Sequence, residues 1–212
     1  MALHITVESE RLVTRAGMRA PHLLKLKNGD LLLTFHVDPD MHFARRVGMR
    51  SSDNGRTWQD DPPRNYKEMA WGELANGVVL TFDRDAFEQH PGVYLGTYYR
   101  SEDGGRRFRG PLESRQFIPR TASRDYPVST RHYPEEHHVQ YKFYSPVPAY
   151  YQPLVAKASC RRGFGFWRYI LEDDARLLVA MQGYFHGDVA QRSILAASED
   201  EGLTWRFVST IA

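Results

Sequence analysis

The sequence predicts an all-β fold made of repeated four-stranded antiparallel sheets, and three observations support this prediction. One phrase occurs three times, as SSDNGRTW at 51–58, SEDGGRRF at 101–108 and SEDEGLTW at 198–205. Each copy follows two apolar runs that are separated by a turn. No helical periodicity separates these runs. Repeats of about 40 to 50 residues with four strands each are typical of β-propellers, in which one repeat is one blade.

The strands of each repeat follow the same order. PHLLKLKNGDLLLTF and WGELANGVVLTF read as hairpins with an Asn-Gly turn, and FWRYILEDDARLLVAM repeats the pattern with a weaker Asp-Asp-Ala turn. A third alternating run enters the repeated phrase and a short fourth run leaves it. We therefore expect about three four-stranded blades, at roughly 15–63, 66–112 and 160–212, with the proline-rich segment 111–160 as an insertion.

The repeated phrase, which we call a box, has the form Ser-x-Asp-x-Gly-x-x-aromatic. The Asp carboxylate accepts hydrogen bonds from backbone N–H groups of its own turn, and the Gly tolerates a positive φ. The aromatic residue is predicted to pack against its own blade. One Asp per box supplies too few oxygen ligands for calcium, so the predicted role is structural. The residues concerned are Ser51, Asp53, Gly55 and Trp58; Ser101, Asp103, Gly105 and Phe108; and Ser198, Asp200, Gly202 and Trp205.

Composition narrows the class of protein. The chain has 212 residues, 28 basic and 26 acidic side chains and a formal charge of +2, a balance that does not favour nucleic-acid binding. No apolar run approaches the roughly 20 residues that span a bilayer, and no secretory leader is evident, so we expect no membrane partner and a cytoplasmic location by default. The single Cys160 excludes an internal disulfide and a Cys-based zinc cluster.

No metal or other cofactor is expected. The segment TRHYPEEHHVQYKFY brings His132, Glu135, Glu136, His137 and His138 together in sequence. Adjacent histidines of a strand point to opposite faces, so they are poorly placed to share one ion. We interpret this aromatic, proline-rich segment as a lid or an oligomer contact.

Strand alternation predicts that function lies at the end of the sheets opposite the boxes. The loops between the second and third strands, at 36–46, 83–92 and 183–192, are rich in Asp, His and Arg. Inner strands of a propeller converge on its axis, so these loops should line a central pocket. Each loop also has a plainer interpretation, because Asp forms turns and charged loops are commonly solvated. The candidates for substrate binding are Arg19, Arg45, Arg46, Asp83, Arg84, His186 and Asp188.

The three boxes resemble the Asp boxes, or bacterial neuraminidase repeats, of the sialidase superfamily. The resemblance covers essentially residues 15–212 and implies a propeller of six blades when complete. The phrase MRAPHLLKLKNGDLLLTF is similar to the Arg-Ile-Pro motif of sialidases, which implies that Arg19 binds a substrate carboxylate. The family's general acid/base maps to Asp38 or Asp40. No arginine precedes these aspartates, unlike in the family, which leaves Arg45 or Arg46 to supply the second cation.

The resemblance also implies that several catalytic residues of the family have no counterpart in this sequence. The family's nucleophilic tyrosine, its glutamate partner and further arginines lie in later blades, which have no positions in this sequence. We therefore expect the N-terminal half of a sialidase-like glycoside hydrolase that acts on a terminal sugar and is inactive as this fragment. The alternative is a non-catalytic Asp-box propeller that binds glycans or a protein. A purely structural repeat protein explains the boxes but not the polar loops. Open blade edges also predict self-association.

Overall fold

The computed structural model describes residues 19–36, 46–61, 70–119, 121 and 163–211. The described residues form strands joined by turns, in agreement with the predicted all-β class. The strands are β1 (Arg19–Lys25), β2 (Leu31–His36), β3 (Arg46–Ser51), β4 (Gln59–Asp61), β5 (Ala70–Glu73), β6 (Val79–His90), β7 (Val93–Ser101), β8 (Arg109–Phe117), β9 (Gly165–Asp173), β10 (Arg176–Gly183), β11 (Arg192–Ser198) and β12 (Thr204–Thr210).

Consecutive strands pair antiparallel in three groups of four, β1–β4, β5–β8 and β9–β12, which we name the first, second and third meander. The first meander is a separate sheet. The other two join edge to edge, β5 with β9 and β8 with β12, into a closed eight-stranded barrel. This closure was not predicted, because parallel pairing between distant strands has no local sequence pattern. Strand β8 also extends to Phe117, into the segment predicted to be inserted; residues 122–160 lie outside the described residues.

Each meander has two distinct ends. In the first meander, Ser51 at the start of the box pairs with Leu31, next to the turn that contains Asn28 and Gly29. The box and the hairpin turn therefore lie at the same end. The box end consists of the turns at 26–30, 74–78 and 174–175 and the boxes 51–58, 101–108 and 198–205. The opposite end, the loop end, holds the paired residues His36 and Arg46, the turn 91–92 and the loop 184–191.

The boxes share one hydrogen-bonding pattern. In the third box, the Ser198 hydroxyl donates to Asp200 Oδ1 at 2.8 Å and accepts from Gly202 N–H at 2.8 Å. Asp200 Oδ1 also accepts from Thr204 N–H at 2.8 Å. The corresponding bonds of the other two boxes measure 2.8 to 2.9 Å. The box glycines have φ of +83°, +73° and +90°, as predicted for this turn.

The second and third boxes lie directly against the preceding meander. A Cβ atom at Gly202 would lie 2.4 Å from Phe82 Cζ of the second meander. A Cβ at Gly105 would lie 2.9 Å from Leu32 Cδ1 of the first. Glycine is therefore required at both positions for two reasons: the backbone has a positive φ, and a side chain would clash with the neighbouring sheet.

The aromatic residues of the boxes pack against their own meanders, as predicted, and two of them also contact the preceding meander. Trp58 packs against the first meander, to which it belongs. Phe108 packs in a cluster with residues of both the first and second meanders, among them Leu26 and Trp71. Trp205 is fully buried in the barrel, with ring centroids 5.5 Å from Phe166 of its own meander and 5.5 Å from Phe82 of the second. The contacts of Phe108 and Trp205 with the preceding meander were not predicted, and they bury additional apolar surface between the sheets.

Polar contacts repeat across the same junctions. Arg50, which precedes the first box, is buried and donates to the Gly104 carbonyl of the second box at 2.9 Å. Arg100, which precedes the second box, donates to the carboxylate of Glu201 in the third. In both junctions the residue before one box therefore bonds the fourth residue of the next box. Ala197 occupies this position before the third box.

We predict that Gly202→Ala destabilises the protein far more than Gly187→Ala. Both glycines have positive φ, at +90° and +88°, so both substitutions carry a backbone cost of about 1–2 kcal/mol. Only Gly202 has a neighbour within 4 Å of the added Cβ, which adds about 1–3 kcal/mol of overpacking. Urea unfolding measures the difference. Equal losses in the two variants would show that the third box does not lie against Phe82.

Box carboxylates have lowered pKa values. The pKa of Asp53 falls from 3.8 to about 2, chiefly because the Thr57 hydroxyl and N–H donate to it. At Asp103 partial burial opposes the shift, but hydrogen bonds from Arg107 N–H, the Ser101 hydroxyl and the Arg107 guanidinium lower the pKa to about 2. At Asp200 partial burial again opposes the shift, and donation by Thr204 and Ser198 lowers the pKa.

We expect the boxes to lose stability on acidification. A carboxylate with a lowered folded-state pKa stabilises the folded protein above its unfolded pKa, and this contribution disappears as pH falls through the folded pKa. For Asp53 and Asp103 the window is about pH 4 to 2. Asp103→Asn should therefore lose less stability than the wild type across this window, when thermal midpoints are measured from pH 2 to 6. Parallel curves for the two proteins would contradict the expected role of Asp103.

Candidate functional site

The first meander brings three polar residues together at the loop end. His36 pairs with Arg19 on one side and with Arg46 on the other, so the three Cα positions form one row across β1, β2 and β3. Their side chains lie outside the part of the chain that the structure describes. The register places this row at the opposite end of the sheet from the first box, as the sequence predicted. Asp38, Asp40 and Arg45 fall in segment 37–45, outside the described residues.

The second meander departs from the prediction of a polar loop at 83–92. Strand β6 instead continues to His90, and the turn consists of Pro91 and Gly92. A register irregularity between Phe82 and Ala86 interrupts the ladder without ending the strand. The loop prediction was wrong because a Pro-Gly turn after an irregular strand resembles the end of a longer loop.

Asp83 has a structural partner in this strand. Its Oδ2 accepts a hydrogen bond from the Thr97 hydroxyl of the neighbouring strand β7 at 2.5 Å. The side chain of Arg84 is outside the described residues. Asp83 therefore holds two strands together, whatever else it contacts.

In the third meander, Asp188 closes its own turn. Its Oδ2 accepts from the backbone N–H of Phe185 at 2.9 Å, and its N–H donates to the Phe185 carbonyl at 3.1 Å. Its Oδ1 pairs with Arg192 Nε at 3.3 Å. His186 is exposed beside it. Of the two interpretations that the sequence left open, the geometry of Asp188 matches the turn former.

A buried polar contact that the sequence analysis missed marks the edge of the inserted segment. The Tyr94 hydroxyl accepts from Thr121 N–H at 2.8 Å and lies 2.9 Å from the Thr121 hydroxyl. Thr121 also forms a β-bridge with Phe185 of the third meander. The chain returns at Gly163, whose N–H donates to the Ala86 carbonyl at 2.8 Å. Both edges of the inserted segment therefore lie at the loop end.

Sequence alone could not single out Tyr94 and Thr121. Tyr94 is one of several aromatics in an alternating strand, and Thr121 is an isolated residue in an irregular stretch. Only the long-range register brings them together. The same region holds Gln116, the Cα partner of Tyr94, whose buried side-chain amide has no hydrogen-bond partner among the residues that the structure describes.

The described residues contain no group of three or more His, Cys, Asp or Glu side chains positioned to bind a metal ion together. The histidine-containing segment 132–138 lies outside them. No helix in the described ranges has the length and hydropathy needed to cross a bilayer.

Comparison with known proteins relates the fold to glycoside hydrolases. No family model matches the chain, and no curated protein matches it in sequence. Among solved structures, the Hadza microbial sialidase Hz136 matches with a TM-score of 0.53 and 14% identity, covering 92% of this chain and 38% of that one. An α-L-arabinofuranosidase from Clostridium thermocellum matches with a TM-score of 0.50 and 8% identity, covering 92% and 51%.

A protein of unknown function from Dyadobacter fermentans matches with a TM-score of 0.54 and 18% identity, covering 92% of this chain and 55% of that one. The chain thus spans about half the length, or less, of these three structures. At such low identities the likeness concerns the fold alone. The chain has an all-β fold similar to that of β-propeller glycoside hydrolases.

Proposed function

We propose that this chain is part of a sialidase-type, six-bladed propeller glycoside hydrolase that releases a terminal sugar at the loop end. The observation that supports the proposal most directly is the row of Arg19, His36 and Arg46 across the first meander, at the end opposite the boxes. The likeness to propeller glycosidases and the three boxes support it independently. In this proposal the three meanders correspond to three of the blades.

The proposed substrate is a sugar that carries a carboxylate. Neighbouring strands lie about 4.7–4.9 Å apart, so the Cα atoms of Arg19 and Arg46 are separated by roughly 10 Å across His36. Two long guanidinium side chains at that spacing can converge on one anion. A guanidinium also matches a carboxylate in bidentate geometry, which gives direction as well as charge to the contact.

The proposed general acid/base is Asp38 or Asp40. Both belong to the segment that connects β2 to β3, directly after His36. Hydrolysis of a glycosidic bond requires such a proton donor together with a second catalytic group. Asp83 and Asp188 hold structural hydrogen bonds, so we assign them to support of the site. The resemblance to sialidases implies that a later blade of a longer protein supplies the second group, and the proposal adopts this.

A non-catalytic propeller that binds glycans is the second candidate. The partners of Asp83 and Asp188 favour it, because Asp83 stabilises a strand pair and Asp188 a turn. Both candidates use the same surface. They differ in whether the complete protein turns over a glycoside.

We predict that the 212-residue chain binds methyl α-sialoside weakly through Arg19 and hydrolyses no fluorogenic sialoside. Saturation-transfer NMR and titration calorimetry measure the binding. Arg19→Ala should raise the Kd about tenfold or more, because it removes a charge-assisted bidentate contact. The matched control Arg176→Ala lies at the box end, where Arg176 pairs with Asp173, and should leave the Kd unchanged.

Three outcomes separate the candidates. Preferential binding of the sialoside over methyl β-galactoside, with sensitivity to Arg19 alone, supports the sialidase-type site. Equal binding of both sugars without an effect of Arg19→Ala favours the glycan-binding candidate. Turnover by the 212-residue chain would contradict the placement of the second catalytic group outside it.

A further inference from the structure

Asn-Gly steps at the box end are chemically reactive as well as good turn formers. The backbone nitrogen of the Gly can attack the side-chain carbonyl carbon of the Asn, because glycine has no Cβ to obstruct the approach. The bond from the Gly nitrogen to Asn Cγ forms, the Cγ–Nδ2 bond breaks, and ammonia leaves with the proton of the Gly N–H. Water then opens the cyclic imide to aspartate or isoaspartate. The net change is conversion of an amide into a carboxylate, with water as the only co-reactant.

Two of these steps occupy equivalent hairpin turns, Asn28–Gly29 in the first meander and Asn76–Gly77 in the second. Both asparagines are exposed, and an added Cβ at either glycine would have no neighbour within 4 Å, so a cyclic imide has room to form. Each Gly N–H closes its turn with a hydrogen bond of 2.9 Å to a backbone carbonyl. Local opening of an exposed turn is enough to release that nitrogen.

The third step, Asn54–Gly55, is more constrained because it belongs to the first box. The Gly55 N–H donates to the Ser51 hydroxyl at 2.8 Å inside the box. A Cβ at Gly55 would lie 3.6 Å from Leu31 Cδ1 and 3.8 Å from Trp58 Cζ2. We therefore expect Asn54 to react more slowly than the two hairpin asparagines.

The Asn76 amide forms a contact between meanders that a carboxylate cannot make. Its Nδ2 donates to Glu201 Oε1 of the third box at 3.1 Å, while its Oδ1 accepts from Val78 N–H at 3.1 Å within the turn. A carboxylate at position 76 has no proton to donate and carries the same charge as Glu201. Deamidation would therefore replace a hydrogen bond across the second junction with repulsion between like charges.

The surroundings of Asn28 have the opposite charge. Its Nδ2 would lie 3.6 Å from a Cβ at Gly104 of the second box. Arg50 donates to the Gly104 carbonyl at 2.9 Å, and Arg106 lies 3.7 Å from Asp30, which Arg50 already pairs at 2.8 Å. A carboxylate at position 28 would thus face two guanidinium groups instead of a glutamate.

We propose that Asn76 is a site of spontaneous deamidation, and that the carboxylate formed there loosens the junction between the second and third meanders. The reaction uses the chain's own turn and water. Asn76 lies at the box end, whereas Arg19 lies at the loop end, so the inference is independent of the proposed catalysis.

Peptide mapping by mass spectrometry tests the reaction in the folded 212-residue chain during incubation at mildly alkaline pH. Aspartate and isoaspartate should accumulate at Asn28 and Asn76 before they do at Asn54. The variant Asn76→Gln should yield no such product at position 76, because the longer side chain forms a larger ring far more slowly. A synthetic peptide that contains Asn76–Gly77 gives the rate without the fold.

Thermal unfolding of aspartate variants tests the consequence. Asn76→Asp should lower the thermal midpoint by about 2–4 °C, and the matched control Asn28→Asp should leave it unchanged. In a Glu201→Gln background, Asn76→Asp should cost less than half as much, because the repelling charge is gone. Circular dichroism checks that each variant is folded.

Each result supports or overturns the proposal. Product at Asn76, a larger loss for Asn76→Asp than for Asn28→Asp and relief by Glu201→Gln together support it. An Asn76 that stays intact in the folded chain while the synthetic peptide reacts overturns the proposed site. Equal losses for the two aspartate variants, or a loss that Glu201→Gln does not reduce, overturn the proposed effect on the junction.

Discussion

The close approach of the second and third boxes to the sheet before each of them is the contact on which the rest of the fold depends. Gly105 and Gly202 have no side chain, and the atoms that a side chain would meet belong to Leu32 and Phe82 of the preceding meander. The serine and aspartate of each box fix the glycine by short internal hydrogen bonds. A turn that is fixed by its own hydrogen bonds thereby provides the surface that packs on the preceding sheet.

This arrangement separates the packing contacts between meanders from the candidate site along the strands. The buried arginine, the box glycines and the interfacial aromatics lie at the box end, where their contacts tie one meander to the next. The loop end carries the row of Arg19, His36 and Arg46 and both edges of the inserted segment. Loops on a rigid framework can vary in sequence without loss of the fold, which is how one architecture supports different chemistries.

The sequence predicted the elements well and their assembly less well. Asn-Gly turns, alternating strands and box residues are local features, and the hairpins and positive-φ glycines lie where those features indicated. The barrel closure, the interfacial positions of Phe108 and Trp205 and the contact of Tyr94 with Thr121 depend on residues far apart in sequence. The 83–92 loop was mispredicted because strand β6 continues through the register irregularity between Phe82 and Ala86.

For the candidate site, the sequence placed Arg19 and Arg46 at the end of the first sheet opposite its box, where the strand register also has them, but it did not give the roles of individual carboxylates. The sequence fits Asp188 equally well as a turn former or as part of a pocket wall. Its bonds to Phe185 and Arg192 in the folded protein match the turn former. The sequence pattern includes the box serines Ser51, Ser101 and Ser198. It does not indicate that each serine hydroxyl both donates to the box Asp and accepts from the Gly N–H, because these bonds depend on the folded turn.

Amide hydrogen exchange at the three box glycines tests the central claim most directly. The N–H groups of Gly55, Gly105 and Gly202 make the same hydrogen bond to a serine hydroxyl, at 2.8, 2.9 and 2.8 Å, so the bond itself does not distinguish them. If boxes are held by the preceding sheet, Gly105 and Gly202 should exchange with the slow core, and Gly55 should exchange faster at concentrations where the chain is monomeric. Equal exchange at all three glycines would mean that each box is held by its own turn alone, which contradicts the account.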